Sequence, residues 1–176
     1  LWYSRETPRI PGADGKLRVC RCPMYVPEKP SGLGRMMLEV TFLISAFARL
    51  LTMMFAKRYD TVIAVAPSFQ VGLLGLFYKM LCGAKLIYHI QDLQIEAARD
   101  LNMIRSRLLI NLMFTLEKYI LRYADVTSTI SDGMMKKVQM KTGRRVVLFP
   151  NWTNTSDIFP IEDRAFAKGE FGFRVT

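Results

Sequence analysis

Three polar side chains follow one another at the end of an apolar, β-like run, in the segment KLIYHIQDL of residues 85–93. They are His89, which is the chain's only histidine, Gln91 and Asp92. In an open α/β sheet, ligands bind at the carboxyl ends of the strands, so a polar cluster in this position is a candidate site for chemistry. A histidine within a strand is also common as a hydrogen-bonded core residue. The residue types alone leave both interpretations open.

Two further acidic or hydroxyl groups are candidates for the same site. Asp92 and Glu96 are four residues apart and could act together as a carboxylate pair, although Asp92 would serve equally well as a helix cap. Ser68 follows a second apolar run, in the segment APSFQ. It could cap the next helix, or the backbone N–H groups at that helix start could hold an anion.

Metal and nucleotide motifs are missing from the sequence. A single histidine excludes a multi-histidine metal site, and Cys20, Cys22 and Cys82 provide no second pair for zinc. These thiols are typical of a reduced, cytosolic protein. The sequence has no P-loop and no GxGxxG, GxSxG or HExxH motif. We therefore expect neither a metal nor a bound cofactor.

Short β-like runs alternate with helical patterns along the chain. The predicted strands are 17–22, 61–66, 85–90, 125–130 and 146–149. The predicted helices are 32–57, 70–82, 105–123 and 132–141. This alternation predicts an α/β fold with a parallel sheet. Residues 1–150 are predicted to form one domain, and the Pro- and Asn-containing segment 151–176 a linker to a further domain.

The charge balance favours an anionic partner. The chain has 25 Lys and Arg against 15 Asp and Glu, a net charge of +10, which suits nucleic acid, an anionic membrane or a phosphorylated substrate. Nucleic acid is disfavoured because aromatic residues are not interleaved with the basic ones. The basic group is interpreted as a solvated helix face, with attraction to anionic lipid as the alternative. It comprises Lys136, Lys137, Lys141, Arg144 and Arg145.

The long apolar helix 32–57 is a second candidate membrane element. Glu39 and Arg49 interrupt it, so no uncharged run approaches the ~18 residues that a spanning helix needs. Its polar residues gather on one side, which fits a core-packed helix or a helix lying at a membrane surface. The core-packed interpretation is favoured.

Several short segments, taken together in order, resemble bacterial glycosyltransferases of family 4, most closely the capsule and colanic-acid type. They are VCRCPMYVP and KPSG near the start, then VAPS, YHIQDL, STISDGM and FPNWTN. Each motif is weak alone, and the ordered set is specific. The resemblance covers nearly the whole chain.

This resemblance implies a GT-B enzyme, in which two Rossmann-like domains face each other across a cleft. It implies that the present chain is the N-terminal, acceptor-side half: a Rossmann-like parallel sheet with helices on both faces, lacking its first strand. Such enzymes retain the anomeric configuration and need no catalytic metal. The partners implied are a nucleotide-sugar and a saccharide or polyprenyl-diphosphate-linked acceptor, met by a cytoplasmic enzyme at the inner face of the plasma membrane.

The resemblance also implies roles for individual residues. His89 would hydrogen-bond the transferred sugar, and Asp92 would contact an acceptor hydroxyl or orient a neighbour. Ser68 would lie in a cleft-edge loop, and Asn151 would begin the crossover to the second domain. Gln91 and Glu96 are added as candidate substrate contacts.

The chain departs from the family pattern in two ways. Family members usually open with a strand and a glycine-rich loop and end with a domain containing paired glutamates, and we expect both to be absent here. After Asp92 the family tends to have Trp-Pro, where this chain has Leu93-Gln94. The sequence therefore predicts half of a hexosyltransferase for surface polysaccharide synthesis, inactive by itself. The alternatives are a non-catalytic binding or membrane-associating domain and, less favoured, an independent nucleotide-binding enzyme.

Overall fold

The computed structural model describes residues 19–29, 32–56, 58–66, 68–104 and 106–152. Helices and strands follow one another in this part of the chain as α1 Gly32–Ala56, β1 Thr61–Ala66, α2 Gln70–Cys82, β2 Lys85–Ile90, α3 Gln94–Asp100, α4 Arg107–Tyr123, β3 Val126–Thr129, α5 Asp132–Thr142 and β4 Val147–Leu148. The predicted linker, residues 151–176, lies outside the described residues except for 151 and 152.

The four strands form one parallel sheet in the order β1-β2-β3-β4. Consecutive strands are neighbours, and helices connect them, so the carboxyl ends of all four strands lie at the same edge. The α/β, Rossmann-like parallel sheet predicted from the sequence is confirmed.

One face of the sheet forms the core. Because strand side chains alternate between faces, Ala64, Leu86, Tyr88 and Ile90 point the same way, and all four are buried. Helix α2 packs on this face, and α4 and α5 lie beside it in the same layer. Ile95, Ile120, Leu121 and Val138 complete the buried cluster from the helices.

The opposite face is more open. Ile63, Val65, Val126 and Val147 lie on it, and each is more than a third exposed. In the residues that the structure describes, the helices packed against the sheet share the first face, so helices on the second face stay a prediction.

The segment before α1 is not the strand that the sequence predicts. Residues 19–22 have no strand structure, and residues 17–18 lie outside the described part. The reason is that this segment bonds to α1 instead of the sheet: the Tyr25 N–H donates to Thr41 Oγ1 at 2.9 Å, and Ser45 Oγ donates to the Pro23 carbonyl at 2.6 Å. Arg49 also donates to Cys20 Sγ at 3.3 Å.

Helix α1 is not core-packed, contrary to the favoured interpretation. It packs on α2 along one side, where the Phe47 and Phe77 rings are 4.9 Å apart and Gln70 donates to Glu39. By length and composition alone, Gly34–Ala56 passes as a membrane span, with a mean hydropathy of 1.6, and its most apolar stretch is not buried within the structure. An exposed stripe at helical spacing remains, formed by Met37, Val40, Ile44 and Phe55.

Two glycines let α2 approach the sheet closely. A Cβ at Gly75 would lie 2.6 Å from Leu86 Cδ1 and 3.3 Å from the Ala64 Cβ. A Cβ at Gly72 would lie 2.7 Å from Ile120 Cγ2 and 2.9 Å from Tyr88 Cε2. The absence of these side chains therefore sets the distance between α2, the central strand β2 and helix α4.

We expect Gly75→Ala to lower the free energy of unfolding, measured by urea denaturation. Overpacking costs about 1–3 kcal/mol, which outweighs the ~1 kcal/mol that alanine gains in a helix. Gly133→Ala is the matched control, because a Cβ there meets nothing within 4 Å; its stability should be unchanged or higher. A Gly75→Ala protein as stable as the parent would contradict this account of the packing.

Candidate functional site

The predicted site residues leave the sheet at its carboxyl edge. Ser68 follows β1, Gln91 and Asp92 follow β2, and Asn151 follows β4. Backbone pairing continues one residue past the strands, since the Gln91 N–H donates to the Ala66 carbonyl at 2.9 Å. Four of the predicted residues thus start from one edge.

His89 lies on the second face of the sheet, next to strand β3. Its Cα is in register with that of Ser128, and its Nδ1 lies 2.9 Å from Ser128 Oγ. The Phe149 ring packs edge-on against the imidazole, with centroids 5.7 Å apart and an interplanar angle of 82°. Only 6% of His89 is exposed. This burial lowers the pKa of the His89 imidazole, because it disfavours the charged form.

The second ring nitrogen of His89 remains available to a ligand. Among the described residues, no hydrogen-bond partner of His89 Nε2 is found. The fully buried side-chain nitrogen and oxygen atoms of these residues all have a partner except Glu96 Oε2, so His89 Nε2 is not fully buried and touches solvent. A neutral imidazole held by Nδ1 and open at Nε2 is suited to hydrogen-bonding an uncharged ligand.

The loops after β2 and β4 are joined by a side-chain hydrogen bond. Gln91 Nε2 donates to Asn151 Oδ1 at 3.4 Å. Asp92 is exposed beside this contact. The N-cap positions of α3 and α2 are Leu93 and Phe69, so the interpretation of Asp92 and Ser68 as helix caps is wrong.

Glu96 belongs to a different cluster, in the helical layer. Lys141 of α5 pairs with Glu96 of α3 and with Glu117 of α4, whose Oε2 is 2.7 Å from Lys141 Nζ. Glu117 is buried, and its burial raises the pKa of its carboxyl group while Lys141 opposes the shift. Glu96 therefore ties α3 to α5 through Lys141, while Asp92 is exposed. The carboxylate pair with Asp92 and the role of Glu96 as a substrate contact stay predictions.

The predicted basic group is also partly engaged in packing. Besides Lys141, Arg144 Nη1 donates to the Arg122 and Ala124 carbonyls at 2.8 and 3.3 Å. Lys136, Lys137 and Arg145 remain exposed. Among the described residues, no three His, Cys, Asp or Glu side chains are grouped so as to hold a metal ion.

Sequence reasoning did not single out Ser128 or Phe149 as neighbours of His89. Side chains alternate between the two faces of a strand, and this alternation places His89, Ser128 and Phe149 on one face. It identifies them as neighbours only when the β2–β3 and β3–β4 registers are known. Those registers are not readable from local composition.

A parallel α/β sheet with polar side chains at its carboxyl edge defines a ligand-binding domain of the Rossmann-like class. The chain belongs to the family of glycosyl transferase 4-like domains, whose model matches residues 3–152. It is also 31% identical over 166 residues to the protein of Escherichia coli (strain K12) named as a colanic acid biosynthesis glycosyl transferase, WcaI. That alignment covers 92% of this chain and 39% of the relative, so the chain spans about two fifths of the relative's length. The resemblance seen in the sequence is confirmed.

We expect His89 to destabilise the protein in mild acid. Its pKa in the folded state lies below the ordinary 6.5, so the unfolded chain binds the proton more readily. The free energy of unfolding should therefore fall as the pH drops below about 6.5, and level off above it. Urea unfolding of the parent and of His89→Gln from pH 5 to 8 isolates this effect as the difference between the two curves. Parallel curves would show that His89 titrates normally.

Proposed function

We propose that this chain is the acceptor-side domain of a retaining glycosyltransferase with two facing Rossmann-like domains, the GT-B architecture. The enzyme would transfer a hexose from a nucleotide-sugar to a lipid-linked saccharide. The observation that supports this most is the position of His89: a neutral imidazole at the carboxyl edge of the sheet, in a chain that belongs to a glycosyltransferase family.

The contacts at the sheet edge support a separate role for each candidate site residue. His89 Nε2 would hydrogen-bond the transferred sugar, because Nδ1 is already engaged with Ser128. Asp92, which is exposed and does not cap a helix, would contact an acceptor hydroxyl. The Gln91–Asn151 hydrogen bond would hold the two loops that border the acceptor. Ser68 would line the next loop along the edge.

The relative supports the biological setting. WcaI is named for colanic acid biosynthesis, which is consistent with a role of this protein in surface polysaccharide synthesis. The nucleotide-sugar is a substrate in this proposal, and no metal or cofactor takes part. A non-catalytic binding domain is the alternative, and turnover decides between them.

The test is transfer by the full-length protein that contains this sequence, assayed with a panel of UDP- and GDP-hexoses and a lipid-linked saccharide acceptor. We expect His89→Gln to lower kcat/KM by about 10²-fold, the usual cost of a lost hydrogen bond to the reacting sugar, and Asp92→Asn to lower it less. Met140→Ser, at an exposed site on α5, is the control. Unchanged turnover in both site variants would refute the roles proposed here.

We further propose that α1 rests on an anionic membrane surface on the cytoplasmic side. The helix is bonded along its length to residues 20–25 and to α2, so it is held as part of the domain. Of its three charged residues, Glu39 and Arg49 are used in those contacts, and Arg35 pairs with Glu39. The stripe of Met37, Val40, Ile44 and Phe55 is left facing outward, on a chain with a net charge of +10.

Co-sedimentation of the full-length protein with anionic liposomes tests this surface. We expect the double variant Ile44→Ser, Phe55→Ser to bind at least about tenfold more weakly, since each apolar side chain contributes about 1.5 kcal/mol or more when buried. Phe55 is 90% exposed and Met140 is 79% exposed, so Met140→Ser is the matched control and should bind like the parent. Equal binding by the double variant, or no binding by the parent at low salt, would exclude this surface.

A further inference from the structure

On the second face of the sheet, His89 and Ser128 form a polar pair near the carboxyl edge. Apart from Thr61 and Lys85 at the amino ends of β1 and β2, the other strand side chains of this face in the described residues are aliphatic: Ile63, Val65, Ile87, Val126 and Val147. His89 and Ser128 are each only 6% exposed, although several of these aliphatic neighbours are much more exposed. The polar pair is therefore better shielded than the apolar residues around it.

Three elements fix the imidazole in place. Strand β2 supplies His89, strand β3 supplies the Ser128 hydroxyl at 2.9 Å, and Phe149, directly after β4, covers the ring. A single rotatable bond with three staggered positions joins the serine oxygen to the paired strand, so few positions are open to this hydroxyl. Among the described residues, no side chain is hydrogen-bonded to Nε2 of His89.

The direction of the hydrogen bond follows from the cost of an unpaired buried donor. If Nδ1–H donated to Ser128 Oγ, the buried serine proton would have no acceptor among the described residues. If the serine donates to Nδ1, its proton is satisfied, and the imidazole proton moves to Nε2, which reaches solvent. A buried donor left without an acceptor loses its hydrogen bond to water and gains none in return, so the second arrangement is favoured.

We propose that Ser128 is a positioning residue that donates to His89 Nδ1 and thereby presents Nε2–H as a fixed donor at the carboxyl edge of the sheet. The group that this donor fits is an uncharged oxygen acceptor. On the proposed function, which this assignment deepens, the acceptor is an oxygen of the transferred sugar. His89 remains the residue that touches the ligand, and Ser128 acts through it.

Nitrogen NMR of the full-length protein labelled with ¹⁵N-histidine tests the tautomer at pH 8. The His89 signals are identified as those missing from His89→Gln. We expect the parent to show the Nε2–H form, Ser128→Ala a mixture of both neutral forms, and Ser128→Thr the parent's form again. Ser106→Ala, which removes a helix-capping serine of α4, should leave the His89 signals unchanged. The Nδ1–H form in the parent, or parent-like signals in Ser128→Ala, would overturn the proposal.

Kinetics provide the second readout. We expect Ser128→Ala to lower kcat/KM for the nucleotide-sugar by about tenfold, the loss that 1.4 kcal/mol represents, and Ser128→Thr to restore it. Should Ser128→Ala fail to fold, Ser128→Cys keeps the side-chain size with a weaker donor and should show the same two changes. If Ser128→Ala loses stability as Ser106→Ala does, with unchanged turnover, positioning is excluded. If the parent itself transfers no sugar, the proposed function fails and the NMR result alone decides the role of Ser128.

Discussion

The close packing of α2 on strand β2 is the constraint on which the rest of the structure depends. A side chain at Gly72 would collide with the Tyr88 ring, and a side chain at Gly75 would collide with Leu86. Because strand side chains alternate, burying Leu86 and Tyr88 on this face obliges His89 to point to the other. A shift of β2 by one residue would bring the imidazole against the glycines and expel Tyr88 from the core. The position of the candidate site is therefore a consequence of helix–sheet packing.

The sequence correctly predicts those helices and strands that are marked by an apolar run and its terminating residues. Strands β1 and β2 and helix α2 have the predicted bounds, because each is an apolar run ended by Pro, Gly or polar residues. Helix α3 was missed, since its seven residues have no apolar period and depend on Ile95 and the Lys141 ion pairs for their place. The strand predicted at 17–22 does not form over residues 19–22, where Arg49 of α1 bonds Cys20, while Thr41 and Ser45 of α1 bond Tyr25 and Pro23 directly after it.

The candidate site likewise has residues whose position the sequence predicts and contacts that it does not predict. Residues that follow a strand directly, such as Gln91 and Asp92, could be placed at the edge from sequence because parallel strands end together. Contacts between strands could not: Ser128 is 39 residues from His89, and Asn151 is 60 residues from Gln91. The ion pair of Glu96 could not be predicted for a related reason, since its partner Lys141 belongs to another helix. The types of residue indicated chemistry, and only the register and the helix packing decided which of them meet.

Strand β4 consists of two residues, and the next residue, Phe149, both covers His89 and donates its backbone N–H to the Thr129 carbonyl at 2.7 Å. The end of the sheet and the cover of the imidazole are thus the same residue. Fraying of this short strand would break that hydrogen bond and wet the histidine ring in one event. Amide exchange at Phe149 and solvent access to His89 are consequently linked, and the dielectric around the imidazole depends on the hydrogen bonds of a two-residue strand.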